Sequence, residues 1–211
     1  FSLSASGEYL ALLDANTNIV SQFAPTFPAQ VPNVSYGFAA FAPPRNFLTN
    51  GAPLRWLVPT NDALGTNWIL PGFNDSDWAA GTNFVGYETS PENYAGLFRT
   101  DVSAQMYNRA SSVYIRIPFV VTNPLDFANW TLRLQCDDGC VMWLNGEEVL
   151  RYYVPDPLAW NAFSTTNRAD ADVLVGETYD LVEFEPLLLP GTNWLVIHAL
   201  NARLDSSDLL V

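Results

Sequence analysis

WTLRLQCDDGCVMWLNGEEVLR, residues 130–151, is the stretch from which the rest of the chain can be read. Leu132 and Leu134 alternate with Arg133 and Gln135, the period of two that a half-buried strand requires. Cys136-Asp137-Asp138-Gly139-Cys140 then reads as a tight loop, because Asp and Gly supply local hydrogen bonds and positive φ. Val141–Leu144 is the expected return strand. Asn145-Gly146 is a strong two-residue hairpin signal, and a third strand is predicted to begin near Glu148. These residues are expected at the centre of an antiparallel sheet.

Outward from this stretch, composition sets the limits. The 211 residues are 49% hydrophobic, 14% aromatic and 15% charged, a globular mixture, and the length suits one β-sandwich, or one plus a fragment of another. Twenty-two acids face nine arginines and no lysine, giving a net charge of −13. That balance speaks against a nucleic-acid partner, which needs clustered basic charge. No apolar run approaches the roughly 18 residues of a membrane span, and no secretory signal pattern is present. The chain opens at Phe1 inside a strand-like pattern, as a processed product or an excised piece would.

Residues 1–44 are expected to form a small unit. Tyr9–Leu13 and Ile19–Phe23 flank an Asp14–Asn18 turn, with Phe1–Ser4 as a possible third strand. Two or three strands alone are marginal in water, so this hairpin calls for a partner. Pro43-Pro44 marks the boundary, since neither helix nor central strand runs through it. Residues 45–211 are expected to form the second unit. Trp68 and Trp78 are predicted to cover one end of its core, and Ser112–Val121 is a strand with Val113, Ile115 and Ile117 on one face and Tyr114 and Arg116 on the other. Further strands are expected over residues 127–135, 174–181, 182–189 and 194–200, with long polar loops at 88–112 and 152–172. No helix of convincing length is predicted. The fold class is therefore all-β, an antiparallel β-sandwich preceded by a short β-hairpin unit.

Two resemblances add to this reading. GEYLALLDA at 7–15, Phe23, Pro28-Ala29-Gln30 and Val34-Ser35-Tyr36-Gly37 resemble the C-terminal part of a lamin-tail domain of large secreted bacterial proteins. That resemblance implies an incomplete immunoglobulin-like sandwich. FNDSDW, VGYE, SVYIRIPF, DDGCVMWLNGEEVLR, LLPGTNWLVIHALN and SSDLL, within residues 55–211, resemble the galactose-binding-like jelly roll that follows such domains. They are also distantly similar to the sugar-binding domain of family 2 glycoside hydrolases. The resemblance is specific for fold and weak for function, since such modules bind sugars, calcium or proteins, or space other domains.

The chemistry-bearing residues are sparse. His198, the single histidine, alternates with Trp194 and Val196 in an apolar strand and is expected to be a core residue. No nucleophile motif or phosphate loop is present, so catalysis is not expected. Tyr107, Arg151, Tyr153, Trp160 and Asn161 are candidate ligand-binding residues: aromatic faces stack on sugar rings, and Arg or Asn bond hydroxyls. The alternative for each is packing at the rim of the sandwich. Asp137 and Asp138 are candidates for Ca²⁺, or else turn-forming acids. Cys136 and Cys140 are either a disulfide, which would close a short loop for about 2 kcal/mol and indicate an oxidising compartment, or two buried thiols. The functional expectation is a non-catalytic extracellular or cell-surface module that binds a polysaccharide or glycan. The alternative is a structural subunit of a fibre, assembled by strand addition at residues 1–37 to a neighbouring domain or a copy of itself.

Overall fold

The computed structural model describes residues 3–32, 45–90, 94–124 and 129–211, and the chain divides into two compact units, Phe1–Pro43 and Pro44–Val211. In the first, β1 (Leu10–Leu13) and β2 (Ile19–Phe23) form an antiparallel hairpin with Leu10 opposite Phe23. Its turn is built on Asp14. One carboxylate oxygen accepts the backbone N–H groups of Asn16 and Asn18, each at 2.8 Å, and Thr17 takes the positive φ. Leu3 and Ser4 are not in a strand, and the Val34–Gly37 part of the lamin-tail resemblance lies outside the described residues.

The second unit is a mainly antiparallel sandwich, with one parallel pair, Val85–Glu88 beside Thr100–Asp101. One layer has six strands. β3 (Pro53–Leu57) and β4 (Ala79–Thr82) form one flank, β7 (Ser112–Val121) and β12 (Gly191–Leu200) the centre, and β9 (Gly139–Leu144) and β10 (Glu147–Tyr152) the other flank, in the order β10-β9-β12-β7-β3-β4. The opposite layer combines β5 (Val85–Glu88), β6 (Thr100–Asp101) and β13 (Asp208–Leu210) with the pair β8 (Thr131–Leu134) and β11 (Glu177–Asp180); a bridge between Asp137 and Leu210 joins the two groups. The core between the layers takes Val113, Ile115 and Ile117 from β7, Leu195 and Ile197 from β12, and Val85, Tyr87, Leu134 and Leu209 from the opposite layer. Asn145-Gly146 makes the β9–β10 turn as expected. Glu147 pairs with Leu144, and φ is 53° at Asn145 and 97° at Gly146, the positive pair that this hairpin demands.

The stretch 136–140 differs from its sequence reading. It is not a hairpin loop. β8 pairs with β11, while β9 pairs with β10 and β12, so the chain crosses at this point from one layer to the other. The physical reason lies in burial. A hairpin tip faces water, but Cys136, Asp137, Asp138, Gly139 and Cys140 are all buried. Their backbone is satisfied by the far end of the chain: Asp137 N–H donates to Leu210 O at 2.9 Å and Asp138 N–H to Leu200 O at 3.2 Å. Acidic turn chemistry and a buried corner carry the same composition, and only tertiary partners separate them.

Other expectations are corrected more locally. Residues 182–187 form a 3-10 helix containing Pro186 instead of a strand, and 170–175 form α2 (Asp170–Val175), which Gly176 ends at φ 70° before β11. The polar 88–112 region holds β6 and the single-turn helix α1 (Ser103–Met106), anchored by buried Val102 and Met106. Trp68 and Trp78 do not cap an end of the core. With Tyr114 and Val196 they form a second aromatic cluster on the opposite face of the six-stranded sheet, joined by Trp143, Trp160 and Trp194. Period-two alternation places Tyr114, Arg116 and Val196 on this face, which is covered instead of solvated. Arg116, wholly buried, ties the covering segment down. It pairs with Asp75 at 2.8 Å, donates to the carbonyls of Leu70 (3.1 Å) and Trp68, and lies 4.5 Å from the Trp194 ring.

Candidate functional site

An open groove of about 850 Å³ lies at one end of this sandwich. Val58, Pro59 and Thr60, which follow β3, form one wall. Gln105 and Arg109 come from and beyond α1, and Trp160, Asn161 and Phe163 come from the loop after β10. That loop is held at its backbone, with the Asn161 and Phe163 side chains exposed. Ser111 Oγ donates to Asn161 O at 2.8 Å, Ser112 Oγ to Trp160 O at 2.6 Å, and Ser164 N–H to Asn201 O at 2.9 Å. His198 is buried, hydrogen-bonds the Trp160 backbone and stands edge-on to Tyr114 at 4.7 Å; burial lowers its pKa to about 3 and keeps it neutral. This matches a core histidine that braces the loop from below.

The groove surface joins apolar and polar side chains. Trp160 is half-buried, and Phe163 and Leu204 are each 42% exposed. The Asn161 and Gln105 amides and the Arg109 guanidinium are exposed around them. An aromatic platform edged by amide and guanidinium donors is the arrangement that stacks on the apolar side of a ring and bonds its hydroxyls.

Of the five residues singled out in the sequence, the groove brings together Trp160 and Asn161. Tyr107 follows α1 but leans on Tyr87, ring centroids 6.2 Å apart, and does not line it. Arg151 is committed to Glu148 through two 2.8 Å bonds, and Tyr153 packs on Tyr152 at 4.3 Å; neither lines the groove. Thr60, Gln105 and Arg109 were not foreseen. They lie 50 to 100 residues from Trp160 in sequence, and no spacing rule links them.

A second polar region is the buried corner at Asp137-Asp138. Asp138 accepts the backbone N–H of Arg168 at 2.8 Å with one oxygen and that of Ala202 at 2.7 Å with the other. Asp137, 2% exposed, is crowded by the carboxylates of Asp138 and Asp208. Burial first, and then those neighbouring charges, push its pKa up to about 10, so it stands as a neutral acid at pH 7. Asp137 Oδ2 and the buried Tyr94 hydroxyl have no partner among the described residues. Nearby, Glu177 accepts from Tyr152, Tyr179 and Arg168, and Arg168 also donates to Cys136 O at 2.7 Å.

Calcium is one of the two readings of Asp137 and Asp138, and the corner does not offer the donor set it takes. A calcium site gathers six or more oxygens around charged carboxylates. Here one carboxylate is spent on backbone amides and the other is protonated. No group of three or more acidic, His or Cys side chains among the described residues is arranged to hold a metal. Cys136 and Cys140 are free thiols, not a disulfide. Both are fully buried and hydrogen-bonded to each other, and that bond with burial raises the Cys136 pKa well above its ordinary value, away from the thiolate that exchange requires. No helix among the described residues is long and apolar enough to cross a membrane.

No family model matches the chain, and no curated protein sequence matches it. Solved structures do. A β-glycosidase from Bacteroides vulgatus is 14% identical, with 78% of this chain and 20% of that one covered, at a TM-score of 0.42. A β-glucuronidase of an uncultured Clostridium sp. is 13% identical over 71% of this chain and 21% of its own, at 0.41. A β-glucuronidase from glycoside hydrolase family 2 is 14% identical over 74% and 14%, at 0.43. The chain thus spans about a fifth or less of these enzymes' length. The all-β sandwich assignment rests on the strand order and core described above.

Proposed function

We propose that the unit 44–211 is a non-catalytic carbohydrate-binding module of galactose-binding-like jelly-roll type, working at the cell surface or outside the cell. The groove at Trp160 and Phe163 carries this reading. It offers exposed aromatic area beside Asn161, Gln105 and Arg109, on a loop whose backbone is already fixed by Ser111, Ser112 and Ser164. A rigid platform of this kind binds without a large ordering cost. The lone histidine is buried and neutral beneath the groove, which removes the usual general base from its surface. Binding to a panel of soluble oligosaccharides, followed by calorimetry, tests the reading. Phe163→Ala and Asn161→Ala should each weaken a bound saccharide about tenfold, a typical effect of losing one stacking or hydrogen-bonding contact. Equal affinity in all three proteins would remove the groove from consideration.

A second reading concerns residues 1–37. Among the described residues β1 and β2 pair only with each other, and Leu12, Leu13, Ile19 and Val20 are 50–64% exposed. Among the described residues each strand has one edge without a strand partner, and the same edges on another copy of the chain provide the complementary hydrogen-bonding groups. Strand addition between copies would build an extended assembly. Light scattering across concentration tests it: a mass that grows, and stops growing in Val20→Lys, supports assembly, whereas a constant monomer mass ends it.

A further inference from the structure

The groove is unlike the rest of this protein in charge. The chain carries 22 acids and a net charge of −13, yet no Asp or Glu lines the groove among the described residues. Its one charged lining residue is Arg109. Arg116, Arg151, Arg168 and Arg203 are ion-paired, Arg55, Arg99 and Arg133 donate to carbonyl or amide oxygens, and Arg45, which like Arg109 makes no side-chain hydrogen bond or ion pair among the described residues, does not line the groove. Arg109 is exposed and makes no side-chain hydrogen bond or ion pair among the described residues. A guanidinium left free in an acid-free recess, beside an aromatic platform, is matched to a planar anion held against a ring.

Building on the saccharide reading, we infer that the groove selects a glycan bearing a uronic acid residue, with Arg109 receiving the sugar carboxylate. Trp160 and Phe163 supply the stacking surface, and Asn161 and Gln105 bond ring hydroxyls. The ligand is an otherwise neutral chain with an isolated uronate and not a polyanion. The net charge of −13 repels a dense polyanion, whereas a single carboxylate in contact with Arg109 lies inside the screening distance of roughly 8 Å at physiological salt.

The probes are a xylo-oligosaccharide carrying one glucuronic acid, and the same compound after its carboxyl is reduced to the alcohol. Calorimetry at about 0.15 M salt should give an affinity for the acid form at least tenfold above that for the reduced form, the usual worth of a charge-assisted bond. Arg109→Gln should abolish this preference while retaining the weaker affinity for the reduced compound. Its melting temperature should match the parent's, because the side chain is exposed and unpaired. Equal affinity of the parent for both compounds overturns the uronate inference and leaves the saccharide reading standing. Failure to bind either compound, or any neutral oligosaccharide in the panel, overturns both.

Discussion

The buried corner at Asp137-Asp138 and the groove at Trp160 both draw on the segment after β10 and the segment after β12, and they use polar residues in opposite ways. In the corner, carboxylates are withdrawn from water and answered from within. Asp138 caps two backbone amides, Asp137 is held as a neutral acid, and the chain turns between layers around them. In the groove, the interior polar groups are spent on the loop backbone through Ser111, Ser112 and His198, so that Asn161, Phe163 and Arg109 are left open to solvent. Polar density by itself therefore does not mark a binding site. The acids that stand out in the sequence are buried at the corner, and the less conspicuous Asn161, Phe163 and Arg109 line the open groove.

The largest expected effect breaks the corner. Asp138→Ala leaves the amides of Arg168 and Ala202 without their acceptors and opens a hole beneath the crossing. Chemical denaturation should show a loss of about 3–5 kcal/mol. Asp138→Asn, which keeps one acceptor oxygen, should lose less. A loss below about 1 kcal/mol for the alanine variant would mean that the corner is not the anchor described.

The groove substitutions should behave in the reverse manner. Phe163→Ala should cost about tenfold in saccharide affinity and shift the melting temperature by no more than about 2 °C, as exposed substitutions do.

A third prediction uses pH to sharpen the contrast. Asp137 has its folded pKa raised to about 10, so the unfolded chain releases this proton first as pH rises. Its contribution to stability is complete below the ordinary carboxylate range and is lost progressively as pH climbs toward 10. His198 has the opposite sign. Its folded pKa is lowered to about 3, so stability is lost as pH falls below its ordinary 6.5. Asp137→Asn removes the first loss but not the second. Thermal melts should show the variant gaining on the parent steadily between pH 5 and pH 9, by several degrees at the alkaline end. A difference that does not change with pH would contradict a protonated Asp137.

The smallest effect is expected at Arg151→Ala. This residue is already paired on the surface with Glu148, and such pairs contribute about 0–1 kcal/mol. Saccharide affinity should be unchanged, which a single calorimetric titration checks.

Parts of this architecture were readable from residues alone. Asn145-Gly146 announces its turn because few other pairs accept two positive φ values, and SVYIRIPFVV and WLVIHAL alternate as strands must. The corner misled because Asp-Asp-Gly writes the same local signal whether exposed at a hairpin tip or buried between layers. Arg116 sits on the face of β7 opposite Val113, Ile115 and Ile117, and its burial depends on Asp75 and the Trp68 carbonyl, 41 and 48 residues away. The site was half legible. Trp160 and Asn161 stood out as an aromatic and an amide in a long loop, whereas Gln105 and Arg109 join them only through the packing of α1 beside the start of β7. Arg151 and Tyr153 carry the same residue chemistry, but they lie against Glu148 and Tyr152 and do not line the groove.

One measurement meets the central claim directly. Backbone and indole amide shifts of this chain can be followed by NMR while the glucuronic-acid-bearing oligosaccharide is titrated in. Binding in the groove should give shifts confined to residues 58–60, 104–112, 160–163 and 204, including the Trp160 indole N–H, with the amides of Arg168 and Ala202 at the corner unmoved. Shifts centred on the Asp137–Asp138 corner, with a silent Trp160, would contradict it.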